Sequence, residues 1–222
     1  MSNALNSGSR RGNMPRIKPL PRAEADPRVI SVYDAVFGRD RDPAVSPGTA
    51  TGTPGDFFTA WGHAPAILAH FQSIWAKPGE APPASQIDPV YRAIAACRVG
   101  YAIQSKFVFS QNCKTCRLAG IPEEKIQAIP NWTLSKLFTD EERAVLAYVD
   151  ANILERGRVH PLVIEALRGF LTEEQLIGLS FTINLYAMHA RGCKALRLEY
   201  DDVPERLTEI PAPEKPGVQA WR

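Results

Sequence analysis

The chain has 222 residues, of which 45% are hydrophobic and 23% are charged, a composition typical of globular proteins. Its 26 basic and 24 acidic side chains leave a net charge of +2. That balance argues against a nucleic-acid partner, because such proteins usually carry a basic face.

No apolar run reaches the roughly 18 residues that a membrane span needs. The polar start from Met1 to Gly12 lacks the apolar stretch of a signal peptide. Four cysteines in a chain of this length do not indicate a disulfide scaffold, so we expect reduced thiols and a cytoplasmic location.

The N-terminal residues 1–25 predict a flexible arm. Residues 2–22 are rich in Ser, Gly, Asn, Pro and Arg and cannot bury enough apolar surface to become ordered. Either Met1 or Met14 could be the start residue. Asp26 before Pro27 predicts the N-cap and first residue of a helix that ends at Gly38.

Turn residues and capping signals predict the other helices. The segment 40–55 contains three prolines and three glycines and predicts a loop, and 77–85 is a second proline-rich break. A short helical turn is expected at 56–61. Another short helix is expected at Pro122-Glu123-Glu124. Longer helices are expected after His63-Ala64-Pro65, Asp88-Pro89, Ser105, Thr139, His160-Pro161 and Thr172. Thr139 with Glu142, and Thr172 with Gln175, are capping boxes.

No alternating strand pattern of any length is present, so the predicted fold class is all-α, as a helical bundle. Residues 26–202 are expected to form a single helical domain, followed by an extended tail at 203–222. The last helix, expected to run to about Leu198, is apolar on nearly all sides between Leu176 and Met188. This pattern predicts either a buried central helix or a subunit interface.

Three stretches, in this order and spacing, resemble a known superfamily. They are Asp88-Pro89-Val90-Tyr91-Arg92 with the helix that follows, Leu118-Ala119-Gly120-Ile121-Pro122-Glu123-Glu124, and Phe138-Thr139-Asp140-Glu141-Glu142. With the closing helix that carries Tyr186, Met188, Ala190 and Arg191, they are similar to the carboxymuconolactone decarboxylase and alkyl-hydroperoxidase D superfamily. The resemblance covers about residues 56–202. It implies a homo-oligomer, a trimer or hexamer, with a monomeric bundle as the alternative.

The positions that carry the chemistry of this superfamily are substituted. Its peroxidase branch has a Cys-x-x-Cys at a helix start, a His four residues further on and a Glu on the preceding helix. Aligned on Ala119-Gly120, these positions hold Ser105, Val108, Asn112 and Ala93. None of these side chains is a thiolate or a base at neutral pH. Asn112 can donate a hydrogen bond to a carbonyl or an enolate, so the resemblance implies a pocket without the usual mechanism.

A Cys-x-x-Cys does occur, at Cys113 and Cys116, but eight residues further along the helix. There the helix dipole no longer favours a thiolate. These two cysteines have either a redox role or the role of packed, inert thiols. A Cys₃His zinc site with His189 and Cys193 is a third alternative. We expect no metal ion and no cofactor.

The remaining candidates are polar residues near the same helix. Ser105 and Lys106 at its start would suit a carboxylate, although Ser105 could equally be an ordinary N-cap. Gln111 with Asn112 would hydrogen-bond a carbonyl. Tyr186 and His189 share one face of the last helix and are the candidates for proton transfer, with a structural histidine as the alternative. Arg98 is either a substrate ligand or half of a structural ion pair, as is Arg191.

These residues predict a lyase-type, decarboxylase-like enzyme for a small cyclic or aromatic-derived carboxylate or lactone. The first alternative is a thiol-dependent alkyl hydroperoxide reductase, with peroxiredoxin-type activity at Cys113 and Cys116. The second is a non-catalytic oligomeric binding protein. The expected partners are a small-molecule substrate and further copies of the chain, with no nucleic acid and no membrane.

Overall fold

The computed structural model describes residues 15–49, 55–72, 86–198 and 209. Within these ranges it has nine α-helices and no β-strand, which confirms the all-α prediction. The helices are α1 (Pro27–Phe37), α2 (Asp56–Trp61), α3 (Pro65–Gln72), α4 (Pro89–Ala102), α5 (Lys106–Leu118), α6 (Glu123–Ala128), α7 (Asp140–Ile153), α8 (Pro161–Arg168) and α9 (Glu173–Leu196). None of these helices combines the length and the apolar character that crossing a membrane requires.

The predicted helix starts are confirmed in atomic detail. The Asp88 carboxylate accepts a hydrogen bond from the backbone N–H of Val90 at 2.7 Å, and Asp26 caps α1 in the same way. Both hydrogen bonds of the capping box between Thr139 and Glu142 are present, as are those between Thr172 and Gln175. Each cap satisfies backbone N–H groups that a helix start leaves without an intrahelical acceptor.

Two short 3-10 helices, Arg22–Glu24 and Ile129–Leu134, were not predicted, because three to six residues carry too little periodicity to be recognised. Ile74, Trp75 and the break at 77–85 lie outside the described residues. So do residues 1–14 and the tail at 203–222, apart from Glu209. That residue forms an ion pair with Arg117, whose Nη1 lies 2.7 Å from the Glu209 Oε1.

The chain divides into two compact units, and the single domain at 26–202 stays a prediction. The described residues of unit 1 are 15–49, 55–72 and 193–198, and those of unit 2 are 86–192 and 209. Along the chain, the first unit extends to Gln72, the last residue of α3.

Unit 1 includes part of the segment that the sequence assigned to a flexible arm. Of that arm the structure describes 15–25, which is held in place instead. Leu20 is buried, and its carbonyl accepts a hydrogen bond from the Tyr33 hydroxyl at 2.9 Å. The backbone N–H of Arg16 donates to the carbonyl of Leu196 at 2.8 Å. The polar composition of this segment predicted a flexible arm. Composition contains no information about contacts with distant residues, such as those of Leu20 with Tyr33 and of Arg16 with Leu196.

Unit 2 is built around α4, which packs against α5 and α7. All residues from 93 to 100 are buried. A three-residue link joins α4 to α5, in which Gln104 has a left-handed φ of 60° and the Ser105 N–H donates to the Gly100 carbonyl at 2.9 Å. A Cβ at Gly100 would lie 2.5 Å from the backbone nitrogen of Phe109. The two helix backbones therefore approach each other as closely as only glycine allows.

The closing helix α9 is only partly buried. Leu179 and Ile183 are fully buried, but Ile177 is 66% exposed and Met188 is 42% exposed. The interpretation of α9 as a helix buried on all sides is therefore wrong for the face that carries Ile177, Phe181 and Met188. A subunit interface on that face stays a prediction.

We expect Gly100→Ala to lower the stability of the protein. The new methyl group would meet backbone atoms of Phe109, which cannot rotate away, so the overpacking cost of about 1–3 kcal/mol exceeds the gain of about 1 kcal/mol from the better helix propensity of alanine. Urea unfolding followed by circular dichroism measures the change. Gly169→Ala is the control, because Gly169 has an ordinary helical φ of −65° at the end of α8. An unchanged free energy of unfolding for the Gly100 variant would contradict the close approach.

Candidate functional site

The start of α5 carries an unusual concentration of buried polar side chains. Ser105, Lys106, Ser110 and Asn112 are all buried, and Lys106 is only 5% exposed. Lysine is among the residues least often buried in proteins, and buried polar groups are the ones that need an explanation. We call these four residues the buried polar start of α5 and take them as the candidate site.

The hydrogen bonds at this end of α5 show what two of the predicted residues do. The Ser105 hydroxyl accepts from the Val108 N–H at 3.2 Å, which is the N-cap role that the sequence left as an alternative. The Asn112 amide donates to the Val108 carbonyl at 2.8 Å. Lys106 is the first residue of the helix, so its ammonium adds to the positive end of the helix dipole. Gln111 is half-buried beside Asn112 in the chain.

His189 of α9 lies next to this end of α5. Its ring centroid is 5.8 Å from that of Phe107, in an edge-to-face arrangement, and 6.3 Å from that of Tyr186, in a stacked one. Burial lowers the pKa of His189 to about 3, because the charged imidazolium would lose its hydration. The imidazole is therefore neutral at physiological pH. It is a weak base but retains an N–H group that can donate a hydrogen bond.

Arg98 is used by the protein itself. Its Nε and Nη2 atoms bind the two carboxylate oxygens of Asp150 at 2.7 and 2.9 Å, and Nη1 donates to the Pro130 carbonyl at 2.9 Å. The Trp132 indole N–H donates to the same carboxylate at 2.9 Å. These contacts tie α4 to α7 and to the 3-10 helix at 129–134. We therefore assign Arg98 to the structural ion pair and not to a substrate; Arg191 is exposed on α9.

Three thiols meet between α4 and α5, and sequence reasoning missed one of them. Cys113 and Cys116 are buried, and so is Cys97 of α4, whose sulfur lies 3.8 Å from the sulfur of Cys113. Burial raises the pKa of Cys97 well above its ordinary value, and hydrogen bonds with Cys113 and Cys116 raise it further. In the sequence, Cys97 lies among the apolar residues of α4, where a thiol is typical of core packing. The short link between two antiparallel helices was the signal that it would face α5.

The zinc alternative has no geometric support. Across the ranges that the structure describes, no three His, Cys, Asp or Glu side chains are grouped so that they could bind one metal ion. The His189 ring contacts the aromatic rings of Phe107 and Tyr186. No disulfide joins Cys97, Cys113, Cys116 or Cys193.

Arg98→Ala should destabilise the protein by about 3–5 kcal/mol, because removing one partner of a buried pair leaves the other charge uncompensated. Chemical denaturation gives the free energy of unfolding. The matched control is Arg168→Ala, whose ion pair with Glu173 is exposed, with side-chain exposures of 56% and 74%. That control should change stability by less than about 1 kcal/mol. Equal losses for the two variants would show that the Arg98 pair is not a buried structural link.

The low pKa of His189 predicts a pH dependence of stability. Its pKa of about 3 in the folded protein lies below the value of about 6.5 in an unfolded chain, so acid favours the unfolded state. This contribution is complete above pH ~6.5 and is lost as the pH falls towards ~3. Between pH 7.5 and 5 the protein should lose about 2 kcal/mol more stability than His189→Leu does.

Urea unfolding at the two pH values measures this difference. An NMR titration of the His189 ring provides the independent check, because no change in its chemical shift is expected between pH 8 and 5. A titration midpoint near pH 6.5 would contradict the burial of a neutral imidazole.

Comparison with known proteins adds a relative and a fold. No protein-family profile matches the chain. The uncharacterized protein YnjA of Escherichia coli (strain K12) is 29% identical over 129 residues, which cover 57% of this chain and 68% of that protein.

Three solved structures have a similar fold. A protein of unknown function from Agrobacterium tumefaciens, which has been likened to the antioxidant defence protein AhpD, is 22% identical with a TM-score of 0.52, over 60% of this chain and 86% of its own. The debrominase Bmp8 without ligand is 17% identical with a TM-score of 0.62, over 89% and 93% of the two chains. A cysteine-to-alanine variant of Bmp8 in complex with 2,3,4-tribromopyrrole gives a TM-score of 0.60 at 18% identity, over 81% and 88%.

Proposed function

We propose that this chain, which has the alkyl-hydroperoxidase D-like fold that its three motifs predicted, is a lyase-type enzyme for a small cyclic or aromatic-derived carboxylate or lactone. The observation that supports this function is the burial of Lys106 at the positive end of α5. A buried ammonium at a helix N-terminus attracts an anion, and a carboxylate is the anion that the decarboxylase branch of the superfamily resemblance suggests.

In this proposal His189 stabilises the reaction intermediate instead of moving a proton. Loss of carbon dioxide leaves an enolate whose oxygen carries the new charge. A neutral imidazole N–H is a suitable donor to that oxygen, and its strength is greatest where aromatic neighbours such as Phe107 exclude water. Tyr186, stacked on His189, would supply the proton that completes the product. Asn112 or Gln111 would bind a second carbonyl.

The fold alone does not determine the reaction of this protein, so the proposal depends on its residues. The fold is shared by a debrominase and by a protein likened to an antioxidant defence protein, so the same helices support different reactions. We also propose a cytoplasmic location and self-assembly as a trimer or hexamer. The exposed apolar face of α9, with Ile177 and Met188, supports the assembly.

A second candidate is a thiol-dependent hydroperoxide reductase that uses Cys113 and Cys116. The position of the two thiols one turn apart on α5 favours it. Its weakness is burial, because a peroxidase that turns over rapidly needs an accessible thiolate, and both residues are buried in the third turn of α5 or beyond. The third candidate, a non-catalytic oligomeric binding protein, would use the buried polar start of α5 to hold a ligand without converting it.

The lyase proposal is tested by incubating the full chain with a panel of small cyclic carboxylates and lactones in D2O and following substrate loss by NMR. Once a substrate is found, Lys106→Met should raise KM by at least about tenfold, since it removes a charge-assisted contact. His189→Gln should lower kcat by about 10²–10³-fold. Full turnover by either variant would remove the assignment.

Two exposed residues of the same types provide matched controls. Lys136→Met and His160→Asn alter side chains at the surface, and asparagine keeps the N-cap that His160 makes to Leu162. Both variants should keep normal kinetics. Ligand binding without turnover across the panel would favour the binding protein. Hydroperoxide consumption that stops after thiol alkylation would favour the reductase.

A further inference from the structure

The three-residue link between α4 and α5 fixes which residues of the two helices face each other. Gly100 meets Phe109. One turn further from the link on each helix, Cys97 faces Cys113, and their sulfurs are 3.8 Å apart. Both thiols are buried in the closely packed interface of the two helices.

We propose that Cys97 and Cys113 form a redox site, which a hydroperoxide oxidises to an intramolecular disulfide between α4 and α5. This site is distinct from the Cys-x-x-Cys pairing that the sequence suggests. It does not rest on the proposed lyase function, because the thiols take no part in that chemistry.

The geometry favours this pair over Cys113 with Cys116. A disulfide bond is about 2.05 Å long and needs Cα atoms about 4.4–6.8 Å apart, with side chains directed at each other. Cys97 and Cys113 point across the helix interface and need to move by less than 2 Å or so to reach that length. Cys113 and Cys116 lie one turn apart on the same helix, where both side chains project outwards and a bond would distort the backbone.

Cys113 is the thiol that reacts first. Lys114 follows it, and the buried Nζ atom of Lys114 has no hydrogen-bond partner in the part of the chain that the structure describes. Burial lowers the pKa of Lys114, and the Glu209 carboxylate opposes this shift. A lysine next to Cys113 in the chain favours attack by that sulfur over attack by Cys97. Cys97, whose thiol is held protonated by burial, is the second reactant.

The reaction balances with a hydroperoxide as the oxidant. The Cys113 thiolate attacks one oxygen of ROOH and the O–O bond breaks. The products are a sulfenic acid at Cys113 and ROH, which takes up the proton that the thiol has lost. The Cys97 sulfur then attacks the Cys113 sulfur, the S–O bond breaks, and the hydroxyl leaves as water with the proton of Cys97. Two thiols are oxidised by two electrons, and one hydroperoxide is reduced to ROH and water.

Burial makes this a slow, stoichiometric site and not a rapid peroxidase. A peroxide must enter a closely packed helix interface before it meets Cys113. The expected product is one disulfide per chain, formed over minutes to hours, with no sustained peroxide consumption. That outcome separates this proposal from the thiol-dependent reductase, for which turnover is required.

The distribution of arginine and lysine allows a direct test on the full chain. Trypsin places each cysteine in its own peptide: residues 93–98 contain Cys97, 107–114 contain Cys113, 115–117 contain Cys116, and 192–194 contain Cys193. The folded protein is treated with hydrogen peroxide, alkylated, digested and analysed by mass spectrometry. We expect 93–98 to be linked to 107–114, and the link to disappear after reduction. A link from 107–114 to 115–117, a link from 93–98 to 115–117, or cysteine oxidation without any disulfide would overturn the proposal.

Variants test the order of the two steps. In Cys97→Ser, Cys113 should be trapped as a sulfenic acid by dimedone, whereas Cys193→Ser, the control at a buried cysteine on α9, should form the same disulfide as the unmodified chain. Dimedone labelling of Cys97 in a Cys113→Ser variant, with none at Cys113 in Cys97→Ser, would show that Cys113 does not react first. If Cys97→Ser is unstable, Cys97→Ala replaces it, and the peptide map of the unmodified protein decides the pairing without any variant.

Discussion

The close approach of α4 and α5 at Gly100 determines what unit 2 can do. Because a Cβ at this position would lie 2.5 Å from the Phe109 backbone, only glycine lets the two helices meet. Their three-residue link then sets the order in which side chains face each other along the interface. The buried polar start of α5 lies at the end near the link, and the three thiols lie one turn further away. The ion pair of Arg98 with Asp150 holds the other side of α4 against α7.

Loss of contact with water explains the chemistry assigned to each group. The same exclusion that keeps His189 neutral, with a pKa of about 3, keeps the Cys97 thiol protonated. Both groups are therefore held in their neutral forms at physiological pH. The buried ammonium of Lys106 differs, because it lies at the positive end of α5, where an anion is the natural partner. In the proposed function, the site therefore binds a carboxylate and donates hydrogen bonds.

Local signals in the sequence were sufficient to predict where the helices start, but not which residues of different helices contact each other. Asp88, Thr139 and Thr172 fixed helix starts correctly, because an N-cap is an interaction within a few residues. The Arg98–Asp150 pair joins positions 52 residues apart, and the Cys97–Cys113 contact depends on the length and geometry of one turn. Residues 15–25 were expected to be flexible because their composition is polar, yet Leu20 and Arg16 have partners elsewhere in unit 1. Contacts between residues this far apart in the chain cannot be predicted from the sequence pattern around either residue.

The link between α4 and α5 also has a consequence for how this protein could acquire new activities. Residues at equal distances from the link face each other, so the interface is a series of layers, one for each helical turn. The Gly100 and Phe109 layer sets the spacing, and the Cys97 and Cys113 layer next to it carries sulfur. A reactive pair can be moved by one layer through two substitutions, one on each helix, without altering a loop or a helix boundary. The scaffold keeps its shape while the reactive atoms move about 5 Å along it, the rise of one helical turn.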